Sequence, residues 1–124
     1  MKTAELIGEP LNFAVARALG KRPHIFVHPI MKIAYLTEEH QYSEEWSQGG
    51  PIIEREEISV GPIYCNGELD SWEAFKHDLE YDEVGEYIEG SDSRSYGPTP
   101  LIAAMRCYVT SELGDEVEIP EELL

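Results

Sequence analysis

Residues 99–114, TPLIAAMRCYVTSELG, contain the signal that decides the fold class of this 124-residue chain. Thr99 is a good N-cap, Pro100 suits the first helical position, and Gly114 is a natural stop. Between these ends, one apolar stripe recurs at helical spacing: Ile102, Met105, Val109 and Leu113. The pattern predicts a helix that packs this stripe against the core.

A second helix is predicted upstream, with short strands after it. Gly8–Leu19 reads as helical because Pro10 stands near its start and Gly20 follows its last apolar residue. The strand candidates that follow are His24–His28 and Ile30–Leu36, which are separated by a proline.

The central segments read as loop, strand and turns. Thr37–Pro51 lacks an apolar pattern and predicts a long loop, whereas Ile52–Val60 predicts a strand. Ser71–Tyr87 fits either a short strand or a helix, and Gly61-Pro62 and Asn66-Gly67 predict turns. Together these elements predict an α+β fold, a single domain with a small, mostly antiparallel sheet and two main helices.

The length suits one domain with a core that needs no metal or disulfide. Twelve aromatic residues exclude a disordered chain. Cys65 and Cys107 are interpreted as free thiols in a reducing cytoplasm. Glu5 and Glu9 interrupt any signal-peptide core, and no apolar run reaches the roughly 20 residues of a membrane helix.

The charge is strongly negative and unevenly distributed. The formal net charge of −16 excludes a generic nucleic-acid coat or a binder of anionic membranes. Residues 1–36 have a balance of +3, whereas residues 37–124 have a balance of −19. The acidic part is either a solvated surface or a DNA-like charge array for a basic partner. Four bases remain within it, and each is expected to act locally: Arg55, Lys76, Arg94 and Arg106.

No catalytic motif is present. The nucleophile elbow, the phosphate-binding loop and the zinc-protease helix are all missing, and neither cysteine has a clear activating base. His24 and His28 could share a strand face as a weak metal site, although packed or exposed histidines are the ordinary case. We therefore expect no enzyme activity, no metal and no cofactor.

Two segments instead suggest binding. Residues 42–51, YSEEWSQGGP, combine aromatic rings that can stack a base with glycines that let backbone amides approach a ligand. The alternative is a loop whose aromatic residues cover the core edge. The candidate binding residues here are Tyr42, Ser43, Trp46, Gln48, Gly49 and Gly50.

The second segment is residues 97–106, GPTPLIAAMR. A helix N-terminus at Thr99 offers amide protons to an anion, and the Arg106 side chain should point back toward that end. Thr99 and Arg106 are therefore candidate anion-binding residues. The alternative is a capped helix in which Arg106 pairs with a carboxylate.

These segments also carry a resemblance. The stretches KTAEL (2–6), YSEEW (42–46), QGGPIIERE (48–56) and GPTPLIAAMRCY (97–108), with LGDEV (113–117) and PEEL (120–123), resemble the NinX-like family of phage and prophage proteins. The resemblance supplies no catalytic residues. It implies a small phage accessory protein that acts in the host bacterial cytoplasm.

The combined expectation is a non-enzymatic protein that sequesters a nucleotide-derived host immune signal. Tyr42 and Trp46 would enclose the base, while Gly49, Gly50 and the amides near Thr99 would meet phosphate or ribose oxygens. Arg106 would neutralise charge. A homo-oligomer is expected, with neither nucleic acid nor membrane as a partner. The alternative is an acidic inhibitor of a host protein, or a DNA mimic.

Overall fold

A computed structural model of the protein describes residues 1–77 and 92–124. Three helices and five strands follow one another in the order α1 (Glu9–Ala18), β1 (Phe26–Val27), β2 (Ala34–Tyr35), α2 (Trp46–Glu56), β3 (Ile58–Cys65), β4 (Glu68–His77), β5 (Asp92–Gly97) and α3 (Pro100–Leu113). Short 3₁₀ turns at Thr3–Glu5 and Glu121–Leu123 lie near the two ends. The expected α+β domain is confirmed.

Both sheets are antiparallel. β1 pairs with β2, and a three-stranded sheet has the order β3-β4-β5. The predicted turn at Asn66-Gly67 connects β3 to β4, and both residues have positive φ, as a tight hairpin requires. The predicted turn at Gly61-Pro62 is wrong, because both residues lie inside β3. β3 is an edge strand, where a proline is tolerated because only alternate amides of such a strand face a neighbouring strand.

Helix α3 lies at the centre of the domain. It contacts α1, α2 and all three strands of the larger sheet. Eight of its 14 residues are buried: Leu101, Ile102, Ala103, Ala104, Met105, Cys107, Tyr108 and Val109. The expected single stripe is therefore too narrow, and Leu113, which was assigned to it, is 42% exposed. A helix covered on most sides has little need for a polar face.

The caps of α3 are the ones that the sequence predicts. The Thr99 hydroxyl accepts the Ile102 amide at 3.1 Å, and Gly114 follows the last helical residue with φ 94°. Gly97 lets β5 approach this helix, since a Cβ there would lie 2.8 Å from the Ala103 nitrogen.

Helix α2 corrects two predictions. Thr37–Pro51 was expected to be a loop and Ile52–Val60 a strand, yet residues 46–56 are helical and the strand begins at Ile58. Gly49, Gly50 and Pro51 are weak helix formers, so local propensity argued against this helix. Tertiary packing overrides that preference, because Gly49 and Ile52 are buried on the side that contacts α3.

The described part of Ser71–Tyr87 is strand, since β4 continues to His77. The acidic stretch 78–92 contains seven Asp and Glu residues, and all of it except Asp92 lies outside the described residues. Cys65 is exposed, Cys107 is buried, and no disulfide joins them.

Gly49→Ala should destabilise the protein. The added methyl group would collide with the Tyr42 carbonyl oxygen and with Leu101 Cδ1. Overpacking of this kind costs about 1–3 kcal/mol, which exceeds the gain of at most about 1 kcal/mol from replacing a helical glycine. Urea denaturation measures the difference in the free energy of unfolding.

Gly61→Ala is the matched control, because a Cβ there meets nothing within 4 Å. Stability should stay the same or rise by up to about 1 kcal/mol. An equal loss in both variants would show that the α2–α3 contact at Gly49 is not tight.

Candidate functional site

Most of the candidate binding residues in the first segment, residues 42–51, pack against the rest of the protein. Tyr42 is 4% exposed, and its hydroxyl lies 2.9 Å from His40 Nδ1. Ser43 is also buried, and its amide and hydroxyl both donate to Asn12 Oδ1, at 2.9 and 2.7 Å. Both side chains thus connect the segment before α2 to the core, and the Tyr42 ring offers no open face to a ligand.

Gln48 and Gly49 hold the same region together. Gln48 Oε1 accepts the Gln41 amide at 2.7 Å, and its Nε2 donates to the Glu38 carbonyl at 2.6 Å. Gly49 packs against Leu101. Trp46, which is 56% exposed, and Gly50, which has open space at its Cα, are the candidates of this segment that still face solvent.

At the second segment, Thr99 is committed to the start of α3. Its hydroxyl accepts the Ile102 amide, and its carbonyl oxygen accepts the Ala103 amide at 3.1 Å. Two of the amides that were expected to bind an anion therefore already have protein acceptors.

Arg106 bonds to backbone rather than to a carboxylate. Its Nε donates to the Leu6 carbonyl and its Nη1 to the Tyr96 carbonyl, each at 2.8 Å. Among the described residues, no carboxylate oxygen lies within 4 Å of this guanidinium. Partial burial lowers the pKa of Arg106 from its ordinary value, but an arginine still stays charged in a protein. The alternative interpretation, in which Arg106 pairs with a carboxylate, is therefore wrong for the described residues.

The two segments meet at Gly49 and Leu101, but Arg106 does not belong to that contact. Five residues along a helix correspond to a rotation of about 140°, so Arg106 and Leu101 point in different directions from α3. The guanidinium lies instead beside the N-terminus of the chain and β5.

A cleft of about 560 Å³ opens there, which we call the Arg106 cleft. Its lining consists of Lys2, Thr3, Ala4, Arg94, Ser95, Tyr96, Arg106, Thr110, Asp115 and Glu116. The N-terminus forms one wall because Thr3 is bonded to the segment after α3. Its amide donates to the Asp115 carbonyl and its hydroxyl to the Gly114 carbonyl, both at 2.8 Å.

The cleft concentrates positive charge. Three of the nine Lys and Arg residues of a chain with net charge −16 line it, against two acids. Arg94 already has two partners. Its Nη1 lies 2.9 Å from Glu73 Oε1 in an ion pair, and its guanidinium lies 4.9 Å from the centre of the Phe75 ring. Tyr96 adds an aromatic ring that is 51% exposed.

Sequence reasoning identified Arg106 but missed Lys2, Arg94 and Tyr96 as its neighbours. The useful signal was the scarcity of bases after Leu36. The expectation that each acts locally is confirmed: Arg55 lies 3.2 Å and Lys76 3.3 Å from Glu56, while Arg94 and Arg106 make the contacts above. Except for Glu56, the sequence neighbour of Arg55, their partners could not be read from sequence spacing.

The remaining chemistry is sparse in the part of the chain that the structure describes. No group of three His, Cys, Asp or Glu side chains there could hold a metal ion. His28 Nδ1 accepts the amides of Ile30 and Met31, and the His24 ring packs edge-on against Phe26. Both histidines thus serve the local structure of the β1–β2 hairpin.

Comparison with protein families supplies a context. The model for the family described as bacteriophage P22 NinX matches residues 2–112. The chain belongs to the NinX family. The resemblance in the sequence motifs is confirmed, and membership of this family suggests a phage protein. No curated protein matches it. Among the helices of residues 1–77 and 92–124, none combines the length and the hydropathy that a membrane span needs.

Arg106→Ala should destabilise this NinX-family chain. The substitution removes two charge-assisted hydrogen bonds that join α3 to Leu6 and to β5. Such bonds contribute about 1.5–3 kcal/mol each, and solvent reaches the one to Tyr96, so we expect a total loss of about 2 kcal/mol in urea denaturation.

Thr110→Ala is the control for a change in the lining of the same cleft, since Thr110 is also partly buried there. The decrease in the free energy of unfolding should be smaller, under about 1 kcal/mol, because the substitution removes no charge-assisted hydrogen bond. Equal stability of Arg106→Ala and the parent would contradict a bridging role for Arg106.

Proposed function

We propose that this phage protein binds an anionic small molecule of the nucleotide class in the Arg106 cleft and holds it without chemical change. In an infected cell it would thereby withdraw a nucleotide-derived immune signal from the host cytoplasm. The observation that carries the proposal is Arg106, a partly buried cation that faces backbone carbonyls and has no carboxylate within 4 Å among the described residues.

The cost of desolvating a charge supports an anionic ligand. A cation withdrawn from water is stabilised when an opposite charge reaches it, and carbonyl dipoles supply only part of that stabilisation. Lys2 lies in the same lining and adds a second cation. A phosphate group in the cleft would accept charge-assisted hydrogen bonds from such side chains.

The other lining groups fit the rest of a nucleotide. The exposed ring of Tyr96 can stack on a base, and the hydroxyl of the partly buried Thr110 can meet a ribose oxygen. The volume of about 560 Å³ lies in the usual range of about 300–1,000 Å³ for small-molecule sites. Trp46 and Gly50 stay outside this proposal, because neither belongs to the lining of the cleft.

The chemistry of the lining supports binding without turnover. The described lining includes neither a histidine nor a cysteine, the side chains that most often serve as general base or activated nucleophile. We therefore expect the ligand to be released from the protein chemically unchanged.

The decisive experiment is to purify the protein from host cells with an active nucleotide-signalling defence, heat it, and identify the released small molecules by mass spectrometry. We expect one intact nucleotide at a near-stoichiometric ratio to protein. Recovery of a cleaved product with multiple turnovers would replace sequestration with enzyme catalysis, and recovery of no nucleotide would reject the proposal.

Lys2→Glu should weaken binding of the recovered molecule by about ten- to a hundredfold in calorimetric titration, since a charged donor contributes about 1.5–3 kcal/mol. Arg22→Glu makes the same change in net charge at an exposed residue outside the cleft lining. It should have little effect, because exposed charges beyond about 10 Å are largely screened at 0.1 M salt. Equal weakening by both variants would place the ligand elsewhere.

The competing function is inhibition of a host protein through the acidic surface. Its test neutralises Asp78, Glu80, Asp82, Glu83 and Glu86, which lie outside the described residues. A nucleotide binder should keep its activity after this change, whereas a DNA mimic should lose it and show partner binding that weakens steeply with salt.

A further inference from the structure

The β1–β2 hairpin is the most apolar exposed feature of the described residues. Within ten positions it presents six large apolar side chains to solvent: Phe26, Val27, Ile30, Met31, Ile33 and Tyr35. Ile30 and Met31 at the tip are 85% and 64% exposed. Contiguous apolar surface of this kind marks interaction sites in soluble proteins.

The hairpin has a defined shape. Phe26 pairs with Tyr35 and their rings stack at 5.7 Å, while the His28 amide donates to the Ile33 carbonyl at 2.9 Å. His28 Nδ1 accepts two amides of the turn, and Lys32 takes a left-handed conformation with φ 58°. A lone two-stranded hairpin is marginally stable in water, so a surface that covers this one would stabilise it.

Its charge is opposite to that of the rest of the molecule. Residues 20–35 contain three bases, Lys21, Arg22 and Lys32, and no acid, so the remainder of the chain has a balance of −19. A second copy of this chain therefore offers an acidic surface to each hairpin. Two hairpins facing each other would place like charges together, which is unfavourable.

A groove with matching chemistry lies elsewhere on the same surface. The groove has a volume of about 570 Å³ and a mixed lining: an apolar part that includes Phe13, Leu113 and Ile119, two acids, Glu116 and Glu118, and one base, Arg17. The segment 112–124, which contributes much of this lining, carries six acids and no base.

We propose that the Ile30–Lys32 tip of the hairpin docks in this groove of a second copy, with Ile30 and Met31 against its apolar lining and Lys32 beside Glu118. The base of the hairpin already contacts the turn Glu121–Leu123 of its own chain, directly after the groove residues. The hairpin and the groove thus lie on neighbouring parts of the surface, an arrangement in which one two-fold axis can exchange both tips and close the assembly as a dimer. This inference is independent of the ligand and of the Arg106 cleft.

Sedimentation velocity of the full chain tests the proposal. The parent protein should be a dimer, and Ile30→Asp should shift it to monomer. A two-fold dimer contains two tip–groove contacts. If the substitution weakens each contact about tenfold, the dissociation constant of the dimer should rise by about a hundredfold. Tyr64→Asp is the control, because Tyr64 on β3 is also 64% exposed and lies outside the hairpin and the groove. It should remain a dimer.

Charge reversal tests the register of the contact and keeps the test decisive if Ile30→Asp folds poorly. Lys32→Glu and Glu118→Lys should each weaken the dimer about tenfold or more, and the double variant should recover most of the parent affinity. A parent protein that stays monomeric at about 100 μM, where even weak specific contacts form, would overturn the proposal. An unrestored double variant would equally overturn it.

Discussion

The rest of the structure depends on the burial of α3 on most of its sides. A helix in this position must be approached closely by several elements, and the residues at the contacts are small. Gly97 brings β5 against the start of the helix, Gly49 brings α2 against Leu101, and Ala103 and Ala104 are fully buried within it. A side chain added at either glycine would collide with backbone, which cannot move as a flexible side chain can.

This central helix also positions the Arg106 cleft. Because α3 starts beside β5 and ends beside the N-terminal residues, its exposed edge lies between two walls from distant parts of the chain. Arg106 reaches both walls through Leu6 and Tyr96, and Thr3 closes the far end by bonding the Gly114 carbonyl. The same bonds stabilise the fold and leave an arginine without a carboxylate partner among the described residues, which is why stability and ligand affinity must be measured separately on variants of this site.

The distribution of charge connects the cleft with the proposed assembly. Acids dominate the surface, so the few bases create local positive regions at the cleft and at the β1–β2 hairpin. Glu116 lines both the cleft and the groove that we assign to the partner's hairpin tip. In a NinX-family protein of this size, a partner seated in the groove would therefore lie next to the Arg106 cleft.

The sequence by itself determined what depends on neighbouring residues. The helix α3 with its Thr99 cap, the N-terminal helix α1 and the Asn66-Gly67 turn follow from caps, periodicity and turn chemistry, and the family motifs gave the phage context. Tertiary structure decided what depends on contacts between distant residues. It made a helix of the Gly49-Gly50-Pro51 segment, buried Tyr42, exposed Leu113, and joined Arg106 to a carbonyl 100 positions away. Local patterns carry no information about such partners, because the free energy that selects them arises only when the chain has packed.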